Sequence, residues 1–150
     1  TKRHYPLADY REAARVLGKN LEFVPVGAAS DIPSAFQKAR RRPVLITTDG
    51  FLNGLAEAFG VESLRARVPA IFQTSRFVES GGLMSYGADT SETFRILGDY
   101  AARILKGARV SELPVQQAMR IELLLNAKTA RTLGITFPLP LLGRADEVIE

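Results

Sequence analysis

The chain has 150 residues, 46% of them hydrophobic and 24% charged, which is enough for one globular domain with a sizeable core. The absence of cysteine excludes disulfides and thiolate chemistry, and no apolar run reaches the roughly 18 residues of a membrane span. The net charge of +4 is mild, and its clearest cluster, residues 40–42, closes a predicted helix, where cations are favoured. A nucleic-acid patch is the alternative interpretation of these arginines, but no aromatic residues interleave with them, so we expect no nucleic-acid partner.

The first half of the chain alternates between helical and strand-like patterns. Residues 6–17 place apolar side chains on one helical face, with Pro6 suited to the first turn and Gly18 to the stop. Residues 43–49 form a near-continuous apolar run, which is typical of a strand buried on both faces. The elements predicted here are a helix over 6–17, a strand over 21–26, a helix from Asp31 to about Arg40, a strand in 43–49, a helix over 51–59 and a turn or short helix over 61–67.

The second half begins with the stretch of residues 69–106, around which we expect the rest of the chain to be organised. Its predicted elements are a strand (Ala70 to Phe72), a polar loop (Gln73 to Glu79), a glycine turn (81–82), a strand (Leu83 to Tyr86), a connector (Gly87 to Thr90) and a helix ending near Lys106. A strand over 120–126, a helix over 127–134 and a tail of loop and short amphipathic turn complete the chain.

This alternation predicts an α/β fold, a parallel sheet with helices on both faces. The strands at 21–26, 43–48 and 69–72 are expected to be parallel neighbours joined by right-handed crossovers. Because the chain begins on a helix, whereas such domains usually begin on a strand, we also expect a strand before Thr1 and therefore a longer protein.

Polar side chains gather where the predicted strands end, which is where α/β proteins bind their ligands. The candidate ligand-binding residues are Asp49, Gln73, Thr74, Ser75, Arg76, Phe77, Tyr86 and Asp89. This set of donors and acceptors beside apolar residues predicts a small-molecule site, or half of one.

Several of these residues have a structural alternative. Asp49 is a candidate N-cap of the next helix and a candidate carboxylate facing the ligand, two roles that are compatible, and Asp89 is likewise a candidate cap. Arg76 either binds a carboxylate or pairs with Glu79 on the surface. Tyr86 is either a site residue or a packing residue, and the phenylalanines at 51, 72 and 77 are either a pocket wall or core.

Catalytic patterns are missing from the sequence. His4 is the only histidine, and there is no Ser–His–Asp set, metal-ligand cluster, P-loop or G-x-G-x-x-G. We therefore expect a binding protein with no cofactor, no metal and no enzymatic activity.

Three separated runs, FVESGGLMSYGADTSE, AARILKGARVSELPVQQAMRIELLLNAKTARTLGI and LLGRADEVIE, resemble the C-terminal half of ABC-transporter substrate-binding proteins. The branch is the one that includes tryptophan and tyrosine binders. PLADYREAARVLG, LEFVPV and DIPSAF also fit the family's second lobe, so the resemblance covers nearly the whole chain.

The resemblance implies a type I periplasmic binding-protein fold, in which two lobes close around one solute. Residues 1–150 would be the C-terminal ligand-binding lobe, with 87–150 crossing towards the N-terminal lobe. The ligand-side positions carried over are Asp49, the QTSRF loop and the SYGAD connector. The amino-acid-binding branch tends to have an asparagine after that aspartate, and Gly50 stands here instead, so an amino-acid solute does not follow from the resemblance.

The implied function is the solute-capturing component of an ABC importer, periplasmic or anchored outside the cytoplasmic membrane, with a permease as partner. The implied solute is a small polar or aromatic molecule, an amino acid among the options. The alternative is the ligand-sensing domain of a transcription regulator or receptor with the same fold. For the fragment alone we expect a homodimer that covers the apolar face of the helix ending near Lys106.

Overall fold

The computed structural model describes residues 7–40, 42–116 and 120–150. The sequence interpretation also used three residues outside these ranges, namely His4, Pro6 and Arg41. The helices are α1 Leu7–Val16, α2 Ile32–Lys38, α3 Gly50–Gly54, α4 Ala56–Arg65, α5 Ser75–Glu79, α6 Thr90–Leu105, α7 Ala127–Leu133 and α8 Leu139–Leu142. The strands are β1 Val44–Leu45, β2 Ala70–Phe72, β3 Met84–Ala88, β4 Ile121–Asn126 and β5 Glu147–Ile149.

The strands form one five-stranded sheet in the order β1-β2-β3-β4-β5. The pairs β1–β2, β2–β3 and β4–β5 are parallel, and β3–β4 is antiparallel. The predicted α/β class, a largely parallel sheet flanked by helices, is confirmed. The antiparallel pair arises because the chain leaves the sheet after Ala88 and returns beside its own exit, where the Asp89 N–H donates to the Arg120 carbonyl at 2.9 Å.

The core forms where α2, α4 and α5 pack together against the sheet. Four aromatic rings run through it in sequence, with centroids 6.4, 6.2 and 6.0 Å apart, from Phe36 through Phe59 and Phe72 to Phe77. All four side chains are buried, and each stabilises the fold by roughly 1.5–3 kcal/mol relative to an exposed ring.

The predicted strand over residues 21–26 is wrong. This segment has no regular secondary structure, and no backbone–backbone hydrogen bond joins it to a strand of the described chain. Its side chains are held instead, because Phe23 lies under the Arg11 guanidinium at 5.1 Å and Glu22 pairs with Arg42 at 2.7 Å. Alternating apolar residues fit any extended segment with one face on a core, whereas a strand also needs a backbone partner, and Pro25 has no N–H to offer.

Three further boundaries differ from the sequence interpretation. The predicted helix over 51–59 and the turn after it are two helices that meet at Leu55, with α4 continuing to Arg65. The predicted loop over 73–79 contains α5, which forms because Phe77 and Val78 are both drawn into the core. The tail contains β5, which was not predicted.

Helix α6 stands apart from this core. None of the α6 side chains whose burial is described is buried, and Phe94, Leu97 and Leu105 are 69%, 56% and 87% exposed. The Tyr100 hydroxyl donates to the carbonyl of Pro114 and so ties α6 to the segment that follows it. Within the described ranges, no helix is long and apolar enough to cross a membrane.

The fourth strand is anchored by one buried side chain. The Asn126 Nδ2 donates to the Val78 carbonyl at 3.0 Å, and its Oδ1 accepts from the Thr129 N–H at 2.8 Å. The Thr129 hydroxyl donates to the Gly81 carbonyl at 3.0 Å. These bonds attach β4 and α7 to α5 and to the turn that follows it.

Candidate functional site

Three strand ends converge at one edge of the sheet. The Thr48 hydroxyl, just beyond β1, donates to the Gln73 Oε1 at 2.6 Å, just beyond β2. A Cβ built on Gly87, near the end of β3, would lie 2.1 Å from the Gln73 carbonyl oxygen, so the two backbones are in close contact. Because carboxyl ends of parallel strands share an edge, the loops after β1 and β2 and the end of β3 meet at Gln73.

The carboxamide of Gln73 bridges two elements at this edge. Its Nε2 donates to the Asn53 Oδ1 of α3 at 2.7 Å, while its Oε1 accepts from Thr48. Gln73 and Asn53 are both half-buried and Thr48 is exposed, so this chain of three side chains reaches the surface. Gln73 was among the predicted site residues, but Asn53 was not. The Asn53 backbone N–H donates to the Asp49 carbonyl at 2.8 Å. Its position one turn after Asp49 in a predicted helix is the signal that could have identified it.

Asp49 connects β1 to α3. Its carboxylate accepts from the Phe51 N–H at 2.7 Å, which is the N-cap arrangement, so the structural alternative for Asp49 is confirmed. Its role towards a ligand stays a prediction. Since Asp49 directly follows Thr48, its carboxylate is next in sequence to the hydrogen-bonded set formed by Thr48, Gln73 and Asn53.

Thr74 and Ser75 begin the segment that leaves β2. Thr74 is extended and precedes α5, but its side chain forms no cap hydrogen bond. Its Oγ1 is buried and has no hydrogen-bond partner among the described residues. A buried hydroxyl without a partner costs about 1–3 kcal/mol, so this position is destabilising in the structure as described. Ser75, the first residue of α5, is half-buried.

The next two residues of α5 point in different directions. Arg76 is exposed, and the described ion pairs do not include the predicted alternative with Glu79. Phe77 is fully buried, with its ring 6.0 Å from that of Phe72. The core alternative therefore holds for Phe72 and Phe77, since both rings are buried, whereas Phe51 is 43% exposed. A ligand contact of Phe77 stays a prediction.

Tyr86 and Asp89 lie at the end of β3. Tyr86 is exposed and pairs with Leu123 across the β3–β4 ribbon, so the packing alternative does not hold for it. Asp89 caps α6 by accepting from the Ser91 N–H at 2.8 Å, as its structural alternative predicted. It also lines an open depression of about 310 Å³ with Ser91, Glu92, Arg95 and Arg120, which has no lining residue in common with the Gln73 chain.

The chemistry available at the converging strand ends is hydrogen bonding. In the described part of the chain, no group of three or more histidine, cysteine, aspartate or glutamate residues could hold a metal ion. The groups near Gln73 are hydroxyls, carboxamides and one capping carboxylate, which can orient a small molecule.

Comparisons with solved structures agree with this architecture. A conserved domain protein from Vibrio cholerae is 28% identical with a TM-score of 0.77, and the match covers 95% of this chain and 49% of that one. An ABC domain in complex with L-Trp from Streptococcus pneumonia is 23% identical with a TM-score of 0.80, covering 96% and 50%. A ligand-free, open substrate-binding protein with adhesive properties from Clostridium difficile is 18% identical with a TM-score of 0.62, covering 95% and 48%. The chain thus spans about half the length of these structures.

The family comparison covers almost all of the sequence. No curated protein sequence matches the chain. The profile of the family described as ABC transporter substrate binding protein matches residues 10–149. The α/β sheet with its polar strand-end edge is consistent with that match, and the chain belongs to the ABC transporter substrate binding protein family.

Proposed function

We propose that this chain is the C-terminal lobe of the solute-binding component of an ABC importer. The observation that carries the proposal is the convergence of three strand ends on the Gln73 carboxamide, in a member of a substrate-binding family. This edge presents hydroxyl, carboxamide and carboxylate groups, which can hold a small polar solute through hydrogen bonds.

The proposal includes a second lobe that closes over this edge. The chain spans about half of the solved structures that it matches, and α6 leaves Phe94, Leu97 and Leu105 exposed. An apolar helical face of this kind is what residues 87–150 would present if they crossed towards an N-terminal lobe. The whole protein would act outside the cytoplasmic membrane and deliver its solute to a permease.

The proposed solute is a small polar or aromatic molecule. The relative from Streptococcus pneumonia holds L-Trp, which supports an aromatic amino acid as one member of this class. Gly50 stands in this chain where an asparagine would favour an amino acid, so the class is kept broader than amino acids.

The test is a pair of substitutions in the full-length protein, with binding measured against a panel of amino acids, nucleobases and aromatic acids. Arg76→Ala and Asp49→Ala should each weaken binding by roughly 10- to 100-fold, the equivalent of a charge-assisted hydrogen bond of about 1.5–3 kcal/mol. Asp49→Ala should also lower stability by about 1 kcal/mol, because Asp49 caps α3.

The matched control is Glu79→Ala, which removes another exposed charge from α5. It should leave affinity unchanged. The proposal fails if no solute of the panel binds the full-length protein, and the role of Arg76 fails if Arg76→Ala binds as well as Glu79→Ala.

For the 150 residues on their own we propose a homodimer that buries the exposed face of α6. Contiguous apolar patches beyond a few hundred Å² are uncommon on monomers, and a symmetric pair would cover the same patch on both chains.

A further inference from the structure

We infer that Thr48 and Asn53 are positioning residues, and that the Gln73 carboxamide they hold selects an uncharged donor–acceptor group of the solute. This inference rests on the proposed function and assigns the chemistry that the site recognises. The groups that fit are a carboxamide, a lactam or a similar neutral group that both donates and accepts.

The hydrogen-bond inventory of Gln73 leads to this assignment. A carboxamide has two N–H donors and two acceptor lone pairs. In the described structure one donor is directed to Asn53 Oδ1 at 2.7 Å and one lone pair accepts from Thr48 Oγ1 at 2.6 Å. One donor and one lone pair of the same planar group remain, and they complement a solute group that carries one of each.

The two bonds fix the carboxamide before any solute arrives. Thr48 follows β1 and Asn53 lies in α3, so Gln73 is held from two separate elements. An unrestrained glutamine loses side-chain entropy when it binds, and a side chain already restrained by the protein loses less. Thr48 and Asn53 therefore raise affinity through Gln73, whether or not they touch the solute.

The same inventory disfavours a carboxylate at this point. All three bonded side chains are neutral, and a carboxylate offers acceptors only. It could accept from the remaining Gln73 N–H but would leave the remaining Oε1 lone pair without a donor, whereas a neutral donor–acceptor group would satisfy both.

The experiment uses the full-length protein and three pairs of probes with the same shape: L-asparagine and L-aspartate, L-glutamine and L-glutamate, nicotinamide and nicotinate. The side-chain amide resonances of Gln73 are followed by NMR during titration to 10 mM, alongside the solute panel described above. We expect the neutral member of at least one pair to shift these resonances, with at least 10-fold tighter binding than its acid.

Variants separate positioning from simple structural loss. Asn53→Leu removes the acceptor and should lower affinity for that neutral probe by about 5- to 10-fold, whereas Asn53→Asp keeps an acceptor oxygen for Gln73 and should restore most of it. In Gln73→Glu the new carboxylate can still accept from the Thr48 hydroxyl. It can also accept from the Asn53 Nδ2 after the Asn53 amide rotates by 180°. It should therefore unfold at nearly the wild-type temperature yet lose at least 10-fold in affinity. Asn20→Leu, at an exposed asparagine of the segment after α1, is the matched control and should change nothing.

The inference is overturned if every acid binds as tightly as its amide, if no neutral probe shifts the Gln73 resonances, or if Asn53→Leu binds like Asn20→Leu. These outcomes differ from a failure of the proposed function. That failure would appear as the absence of binding by every probe and every member of the panel, whereas failure of this inference leaves binding that is indifferent to Gln73.

Discussion

The contact between Gly87 and Gln73 gives a sharp prediction about the candidate site. In Gly87→Ala the new Cβ would lie 2.1 Å from the Gln73 carbonyl oxygen and 2.9 Å from its carbonyl carbon. Contacts between carbon and carbonyl oxygen are normally found at about 3.3 Å or more, so the overlap exceeds 1 Å. Because the atoms that Cβ meets are backbone, the overlap is relieved only if β2 and β3 separate.

The magnitude follows from two opposing terms. Overpacking of a well-packed region costs about 1–3 kcal/mol, and a clash between backbones belongs at the upper end. Replacing glycine by alanine within a strand returns about 0.5–1 kcal/mol of chain entropy. The net loss of unfolding free energy should be about 2 kcal/mol, which lowers Tm by about 4–8 °C for a chain of this size.

Urea and thermal unfolding of Gly87→Ala measure this loss, and Gly54→Ala is the control. A Cβ at Gly54, in α3, meets no atom within 4 Å, so only the entropy gain of about 0.5–1 kcal/mol applies there, and Tm should rise by about 1–4 °C. Solute affinity of Gly87→Ala should fall as well, because Gln73 moves with its carbonyl. If Gly87→Ala unfolds at the wild-type temperature, the strand ends are not in the contact described, and the argument for a site centred on Gln73 loses its geometric basis.

Three further predictions concern the chain more widely. The isolated 150 residues should show no solute binding at micromolar concentration by calorimetry, because a solute on one lobe stays half solvated, and a micromolar Kd would contradict the two-lobe proposal. They should also self-associate at tens of micromolar, as measured by light scattering, and Leu97→Glu should restore a 16 kDa monomer. A monomeric wild-type fragment would show that the apolar face of α6 stays exposed to water without a partner. The hydrogen bonds from Arg15 lower the pKa of Glu12, so an NMR titration should place the Glu12 midpoint below that of Arg15→Ala, and equal midpoints would exclude this pair in solution.

The parts of the fold that the sequence predicted are those set by local pattern. α1, α7 and the strand ending at Phe72 carry their own apolar periodicity and their own start and stop residues, and the predictions for them are confirmed within a residue or two. Whether residues 21–26 or 147–149 form a strand depends on a partner strand elsewhere in the chain. Local sequence pattern does not reveal that partner. The β5 strand forms because Leu124, Leu125 and Asn126 pair with 147–149, twenty-odd residues further along the chain.

The candidate site divides in the same way. The rule that ligands lie beyond strand ends selected Gln73, and the structure places Thr48 beside it. The burial of Phe77 could not be predicted, because a single sequence position next to a strand end does not reveal which way the side chain points. Asn53 was missed because its bond to Gln73 spans twenty residues, and its position one turn after Asp49, which is the local signal, does not reveal that partner.

Asn126 has a consequence for how the protein reaches its native sheet. Residues 90–119 lie between β3 and β4, so no tight turn sets the register of that antiparallel pair, and closing a loop of about thirty residues costs roughly 3 kcal/mol of chain entropy. The run Leu123–Asn126 is buried throughout, so apolar alternation does not distinguish one register from the next. A slip by one residue would withdraw the Asn126 amide from Val78 and bury it unbonded, at about 1–3 kcal/mol. In a population of refolding chains, this one amide would therefore separate the productive docking of β4 from its off-register competitors, and Asn126→Leu should refold into a mixture of species even where its core is as apolar as before.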